Sequence, residues 1–159
     1  MDERLSVDFA MVSAVESIYG LQDQIWPLQP KKNAKPPFCF YEQITDDEEE
    51  ALDGLTGLQH TGFRLHVVTG GFWELSTLCT KIMAAIRGLT GHVNPRTDNT
   101  VAGIAVSGRA VADTDDTGTY VEYVTAKQTS PDLYESDVGF YRRIYEVDFF
   151  YQTERSNTE

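Results

Sequence analysis

What the chain has little of narrows its class. Its 159 residues include no apolar run long enough to cross a bilayer, which takes about 20 residues. Its opening, "MDERLSVDFA", is acidic and amphipathic, where a secretory leader is basic and then apolar, so the expectation is a protein that stays where it is made. Cysteine is scarce. Cys39 and Cys79 are flanked by Phe and Leu rather than by further ligands, and read as buried reduced thiols, not as a disulfide or a metal site. Positive charge is also short, 13 Lys and Arg against 25 Asp and Glu, for a formal net charge of −12. Tight nucleic-acid binding is therefore not expected, because it neutralises phosphates with clustered Lys and Arg. Neither G-x-x-x-x-G-K-[ST] nor G-x-G-x-x-G occurs. His60, His66 and His92 are scattered, without the spacing of a metal pair or of a base beside a nucleophile. No active site is legible, and no enzyme, metal or cofactor is expected.

What is present reads as an α+β chain. A hydrophobic share of 41% is enough for a core, and one domain over 1–152 with a flexible tail at 153–159 is expected. Leu5, Phe9, Val12 and Tyr19 recur at helical spacing, with Val15 and Ile18 flanking and Gly20 as the cap. "WPLQPKKNAKPPF" holds four prolines in a basic stretch and reads as an extended surface connection. "FCFYEQIT" alternates as a strand, with Phe38, Phe40 and Ile44 on one face and Cys39, Tyr41 and Gln43 on the other. The acidic run of Asp46, Asp47, Glu48, Glu49 and Glu50 reads as a solvated loop, and "LDGLTGLQ" as a turn cluster holding the approach to His60. "TGFRLHVVT" is a second strand, with Phe63, Leu65 and Val67 on one face, and the pair predicts an antiparallel hairpin. Gly70 and Gly71 then make a tight turn into the strongest helix signal, the stripe of Leu75, Leu78, Cys79, Ile82, Met83, Ile86 and Leu89.

After the polar loop "GHVNPRTDN", two strands, "VAGIAVSGRAVAD" and "YVEYVTAKQT", flank a turn containing Asp113, Asp115 and Asp116. That turn begins like a calcium loop but has Val124 where the bidentate glutamate belongs, so a hairpin turn is the reading. A turn from Pro131 to Gly139 leads to "FYRRIYEVDFFYQ", whose Tyr141, Tyr145, Val147, Phe149 and Tyr151 share a face suited to cover the helices. The opposite face offers Arg142, Glu146 and Asp148, either a solvated row or the polar part of a subunit contact. The whole predicts a mostly antiparallel sheet of about four to five strands against two main helices.

Taken in order, "PPFCFYEQI", "LDGLTGLQHTGFRLHVVTGGFWELSTLCTKIMAAIRGLTG" and "DLYESDVGFYRRIYEVDFFYQ" resemble the tail completion proteins of long-tailed bacteriophages. Those proteins carry a P-[YF]-x-x-Y strand, an L-D-G-x-x-G-L turn, an aromatic-started helix ending in x-x-A-[IL]-x-G, and a closing L-Y-E-x-[DE]-x-G-x-Y-R segment. The chain departs from the pattern at 92–130, with a longer hairpin, and at the acidic run. The resemblance implies a non-enzymatic subunit, assembled in the bacterial host cytoplasm into a ring, usually a hexamer, at the head-proximal end of the virion tail. Its partners would be itself, the tail tube protein and the head connector protein, with no membrane. Within this picture Arg142 and Arg143, with Glu146 and Asp148, suit intersubunit pairing. Acidic segments 46–50 and 113–116 would face the lumen or its rim, or lie outside and keep the chain soluble. A head-to-tail neck subunit and a monomeric α+β ligand-binding domain are the alternatives.

Overall fold

The computed structural model describes residues 7–51, 54–93, 100–101, 104–105, 110–111 and 119–152, with backbone alone for 8, 9, 46–51, 54–57, 91–111 and 119–120 where these fall inside helices or strands. The fold is α+β. Among the described residues the order is α1 (Val7–Glu16), β1 (Ile25–Pro27), β2 (Phe38–Ala51), β3 (Gly54–Thr69), α2 (Phe72–Arg87), β4 (Gly91–Val93), β5 (Thr100–Val101), β6 (Ile104–Ala105), β7 (Ala110–Val111), β8 (Thr119–Gln128), β9 (Leu133–Glu135) and β10 (Phe140–Gln152). The main sheet has eight strands, more than the four to five expected, in the order β1-β2-β3-β10-β8-β4-β7 with β9 on β10; β5 and β6 form a separate pair. All the pairs are antiparallel except β1 with β2.

Period 2 sets the two faces of the sheet. Cys39, Phe63, Leu65, Val67, Tyr145, Val147 and Phe149 point to the helix side and are buried there. Against them α2 lays Leu75, Leu78, Cys79, Ile82, Met83 and Ile86, the stripe its 3.6-residue period predicts. Helix α1 adds Val7, Ala10, Met11, Ala14 and Val15. The C-terminal turn of α2 is tied to the sheet by Arg87, whose Nη2 donates to the Ala126 carbonyl at 2.8 Å. Cys39 and Cys79 are buried free thiols, one on a strand and one on a helix, as expected.

Several boundaries differ from the sequence reading. Helix α1 stops at Glu16 and Tyr19 is 93% exposed, outside the helix it was expected to extend. The chain there turns tightly, Ile18 bonding Val15, Leu21 bonding Ile18 and Gln24 bonding Leu21, and Gly20 supplies φ +94° within those turns rather than capping the helix. The proline-rich connection begins as strand β1, Pro27 being its last residue at the sheet edge, where a missing N–H costs no ladder bond. The acidic run is not a loop: Asp46–Glu50 lie in β2, and residues 54–60, His60 included, lie in β3, leaving only 52 and 53 between the strands. Pairing with β3 imposes extended backbone on a run of poor strand formers. His92 belongs to β4 rather than a loop, and part of the 131–139 turn is strand β9. Leu5, the turn with Asp113, Asp115 and Asp116, and the tail 153–159 lie outside the described residues.

Candidate assembly surface

Three surfaces carry the residues that the sequence singles out. The first is the sheet face turned away from the helices. Strand register sets Glu42 of β2 opposite Arg64 of β3, Arg64 opposite Glu146 of β10, and Glu146 opposite Lys127 of β8. Acid and base thus alternate across four strands, the favourable arrangement for directly opposed side chains. Arg64 Nη1 donates to Glu42 Oε2 at 3.1 Å, and this bond holds the Glu42 carboxyl below its ordinary value. Beside the row, the His66 ring stacks on Phe40 at 4.3 Å. Burial first, then the Arg142 guanidinium, hold His66 below the ordinary imidazole value, so it is neutral near pH 7. Towards the other end of the strands His60, Phe150 and Tyr123 stack across β3, β10 and β8, each pair 4.4 Å apart.

Asp148 lies across β3 and meets His60 Nε2 at 2.7 Å through Oδ1. Gly62 makes this approach possible: a Cβ there would stand 2.6 Å from Asp148 Oδ1 and 3.4 Å from Thr45 Cβ. The carboxylate can swing aside, but only by leaving His60. Gly62→Ala is therefore expected to lower stability by about 1–2 kcal/mol, the scale of a lost charged hydrogen bond. In an Asp148→Ala background the same change should cost less than ~0.5 kcal/mol, because the coupling is gone. Urea denaturation of the four chains measures this; equal costs in both backgrounds would refute it.

The two arginines part company. Arg142 faces outward and pairs with Glu135 at 2.9 Å. Arg143 faces the helix side, in register with Val67, and forms a two-pronged bond with Asp132: Nε to Oδ1 at 2.7 Å and Nη2 to Oδ2 at 2.9 Å. Both arginines, expected at subunit contacts, are thus engaged by acids of their own chain, while Glu146 and Asp148 lie on the outer face in the settings just given. Arg143 raises its own pKa and lowers that of Asp132 through this bond. Asp132 therefore contributes stability that is fully present above the unfolded carboxyl value, about 3.9, and lost as pH falls through its lower folded value. Asp132→Asn should cost about 1–3 kcal/mol at pH 7, and the gap to the parent should close below about pH 4. A gap unchanged at pH 3 would contradict this.

The second surface is aromatic. Phe72 and Trp73, the first residues of α2, are 42% and 79% exposed, and Tyr134 on β9 is 56% exposed. Tyr141 on β10 joins them: its ring lies 6.1 Å from Phe72 and 4.7 Å from Tyr134, while Phe72 meets Trp73 edge-on at 5.2 Å. The sequence marks the aromatic start of the helix and the closing "DLYE" separately; only the β9–β10–β3 register brings them together.

The third surface is the far end of the β2–β3 hairpin. Among the described residues, the hairpin is two-stranded only at its tip, with Glu50 opposite Leu55 and Ala51 opposite Gly54, while Asp46, Asp47 and Glu48 pair with Thr61, His60 and Gln59, where β3 is also paired with β10. Register shifts at Gln43/Thr45 and Glu48/Glu50 add local twist to it.

Among the described residues, no three His, Cys, Asp or Glu side chains gather as a metal site, and no helix is long and apolar enough to cross a membrane. Burial pushes the Cys79 thiol up to about 11 and the Cys39 thiol further in the same direction, so neither offers a thiolate near pH 7. These features define a class: an α+β chain with helices on one sheet face, an exposed aromatic patch and an acidic run within strand β2. Compared with known protein families and curated proteins, the chain matches none.

Proposed function

We propose that this chain is a virion structural protein that forms a ring, six copies in the simplest case, at the head-proximal end of a phage tail tube. There it ends tube growth and joins tail to head, acting on itself, the tube protein and the head connector, without catalysis. The observation that carries this reading is the aromatic patch. Phe72 and Trp73 come from one of the blocks resembling tail completion proteins, Tyr134 and Tyr141 from another, and the fold merges them into one exposed surface. Clustered aromatics open to solvent favour docking against protein.

The acidic run Asp46–Glu50 of β2 is assigned to the ring's lumen or rim. Arg142 and Arg143 would reach a neighbour only by releasing Glu135 and Asp132, so the principal contacts fall elsewhere. Sedimentation and electron microscopy of the purified chain test ring formation, and particles lacking the chain test the role. Abnormally long tails, or tails unattached to heads, support the reading; normal virions, or a strict monomer, overturn it. Capture of a portal ring in place of the tail tube would reassign the chain to the neck.

A further inference from the structure

Two edges of the main sheet stand open. Strand β2 pairs with β1 only over residues 39–41, and from Glu42 onward, among the described residues, it pairs with β3 alone. Strand β8 pairs with β4 only as far as Val121, so residues 122–128 have β10 on one side and, among the described residues, no strand on the other. The backbone of this second edge can be reached from outside. The Thr129 N–H bonds the Ile144 carbonyl across to β10, so by alternation Lys127 bonds inward and Ala126 faces out, where its carbonyl receives Arg87 Nη2 at 2.8 Å. Each edge also leaves one large apolar side chain exposed, Ile44 at 38% and Tyr123 at 47%. Open edges are templates for a further strand. A register shift at Gln43/Thr45 and the acids from Glu42 onward guard the β2 edge against indiscriminate pairing, so a strand that adds there must bring positive charge.

We propose that these two edges join, strand β8 of one copy adding to the open edge of β2 in a second copy of the chain. This rests on the reading of the chain as a ring subunit and names its lateral contact. Charge complementarity selects the occupant. The outer-face row of Glu42, Arg64, Glu146 and Lys127 begins with an acid on the β2 edge and ends with a base on the β8 edge. Lys127 is exposed and makes no ion pair among the described residues. Glu122, the one acid among residues 122–128, is held by Gln152 Nε2 of its own chain at 2.9 Å. Beside a second copy, Lys127 comes within reach of Glu42, and the alternation of acid and base runs on from subunit to subunit. Pairing β2 with a second β2 would instead oppose acid with acid, and pairing β8 with β8 would stop at a dimer and leave the β2 edges unmatched. Direction fits as well. Three successive antiparallel pairings make β8 run opposite to β2, so copies related by rotation about an axis along the strands meet in antiparallel pairing. Such a head-to-tail contact closes into a ring when its rotation allows.

Cross-linking and a charge swap test this. Within one chain Lys127 and Glu42 stand three strand spacings apart, about 14 Å, too far for a zero-length amide bond. Carbodiimide treatment of the assembled parent should therefore give a Lys127–Glu42 cross-link that mass spectrometry finds in dimers and larger species and not in monomer. Lys127→Glu and Glu42→Lys should each weaken association, read by analytical ultracentrifugation, by roughly five-fold, the scale of one opposed charge pair. Their equimolar mixture, and the chain carrying both changes, should recover, because the two edges are again opposite in sign. Ala126→Pro removes an outward N–H and leaves the ladder to β10 intact, and should weaken association at least as much. Circular dichroism verifies the folding of each variant. Variants that assemble like the parent, or a parent ring without the cross-link, would overturn the edge contact and leave the ring standing. A parent that is monomeric at every concentration would overturn both.

Discussion

Ile82→Asp is expected to yield no soluble folded protein. Ile82 is fully buried on α2 between the helix and the sheet. Removing its side chain costs a few kcal/mol in lost contacts and cavity, and the carboxylate adds the cost of burying an unpaired charge. Together these reach at least about 5 kcal/mol, against a total stability of about 5–15 kcal/mol for an ordinary domain. Ile82→Val removes a single methylene and should cost only about 0.5–1.5 kcal/mol, giving soluble protein with a slightly lower urea midpoint. An aspartate variant that melts with the parent would show that α2 does not sit on the sheet in this way.

Phe149→Ala should be the most damaging truncation on the sheet, at about 3–5 kcal/mol. Phe149 is fully buried in β10, a central strand flanked by β3 and β8, and its ring meets Phe63 edge-on at 6.0 Å and 77°. Phe63 is in turn edge-on to Tyr41 at 5.9 Å. Three strands therefore share one aromatic chain under the helices. Edge-to-face pairs contribute about 0.5–1.5 kcal/mol beyond the area they bury, so a double-mutant cycle of Phe149→Ala with Phe63→Ala should show coupling of about that size. Thermal unfolding of the single variant should fall by roughly 10 °C or more. Strict additivity would mean that the two rings act only as separate pieces of apolar area.

How much of this was legible beforehand depends on whether a pattern is local. Helix α2 and strand β10 follow from period 3.6 and period 2, because one face of each is buried and the other is not. In "FCFYEQIT" both faces are apolar and both are covered, so alternation alone does not say that Cys39 joins the helix-side core while Phe38 is buried against Trp26 and Phe140; coverage by the helices decides. The acidic run reads as a loop because its extended backbone comes from pairing with β3, not from its own propensities. The Arg143–Asp132 bond links residues eleven apart across a turn, and no periodicity predicts it. The aromatic patch is legible in pieces, since Trp73 and Tyr134 are visible but their proximity requires the sheet. Lys31, Lys32 and Lys35 are plain in the sequence, and Asn33 between them is a residue that favours the left-handed backbone it adopts, whereas nothing in Leu28 announces the same conformation.

The two buried thiols make the core its own clock. Cys39 on β2 and Cys79 on α2 are close enough that ionising one disfavours ionising the other, and neither is accessible to solvent. An alkylating reagent can reach them only when helix and sheet separate, so the rate of labelling counts those openings in the native protein. Because the pair straddles the layer boundary, synchronous labelling of both would report the layers parting as a unit, whereas faster labelling of Cys79 would report the helix lifting first.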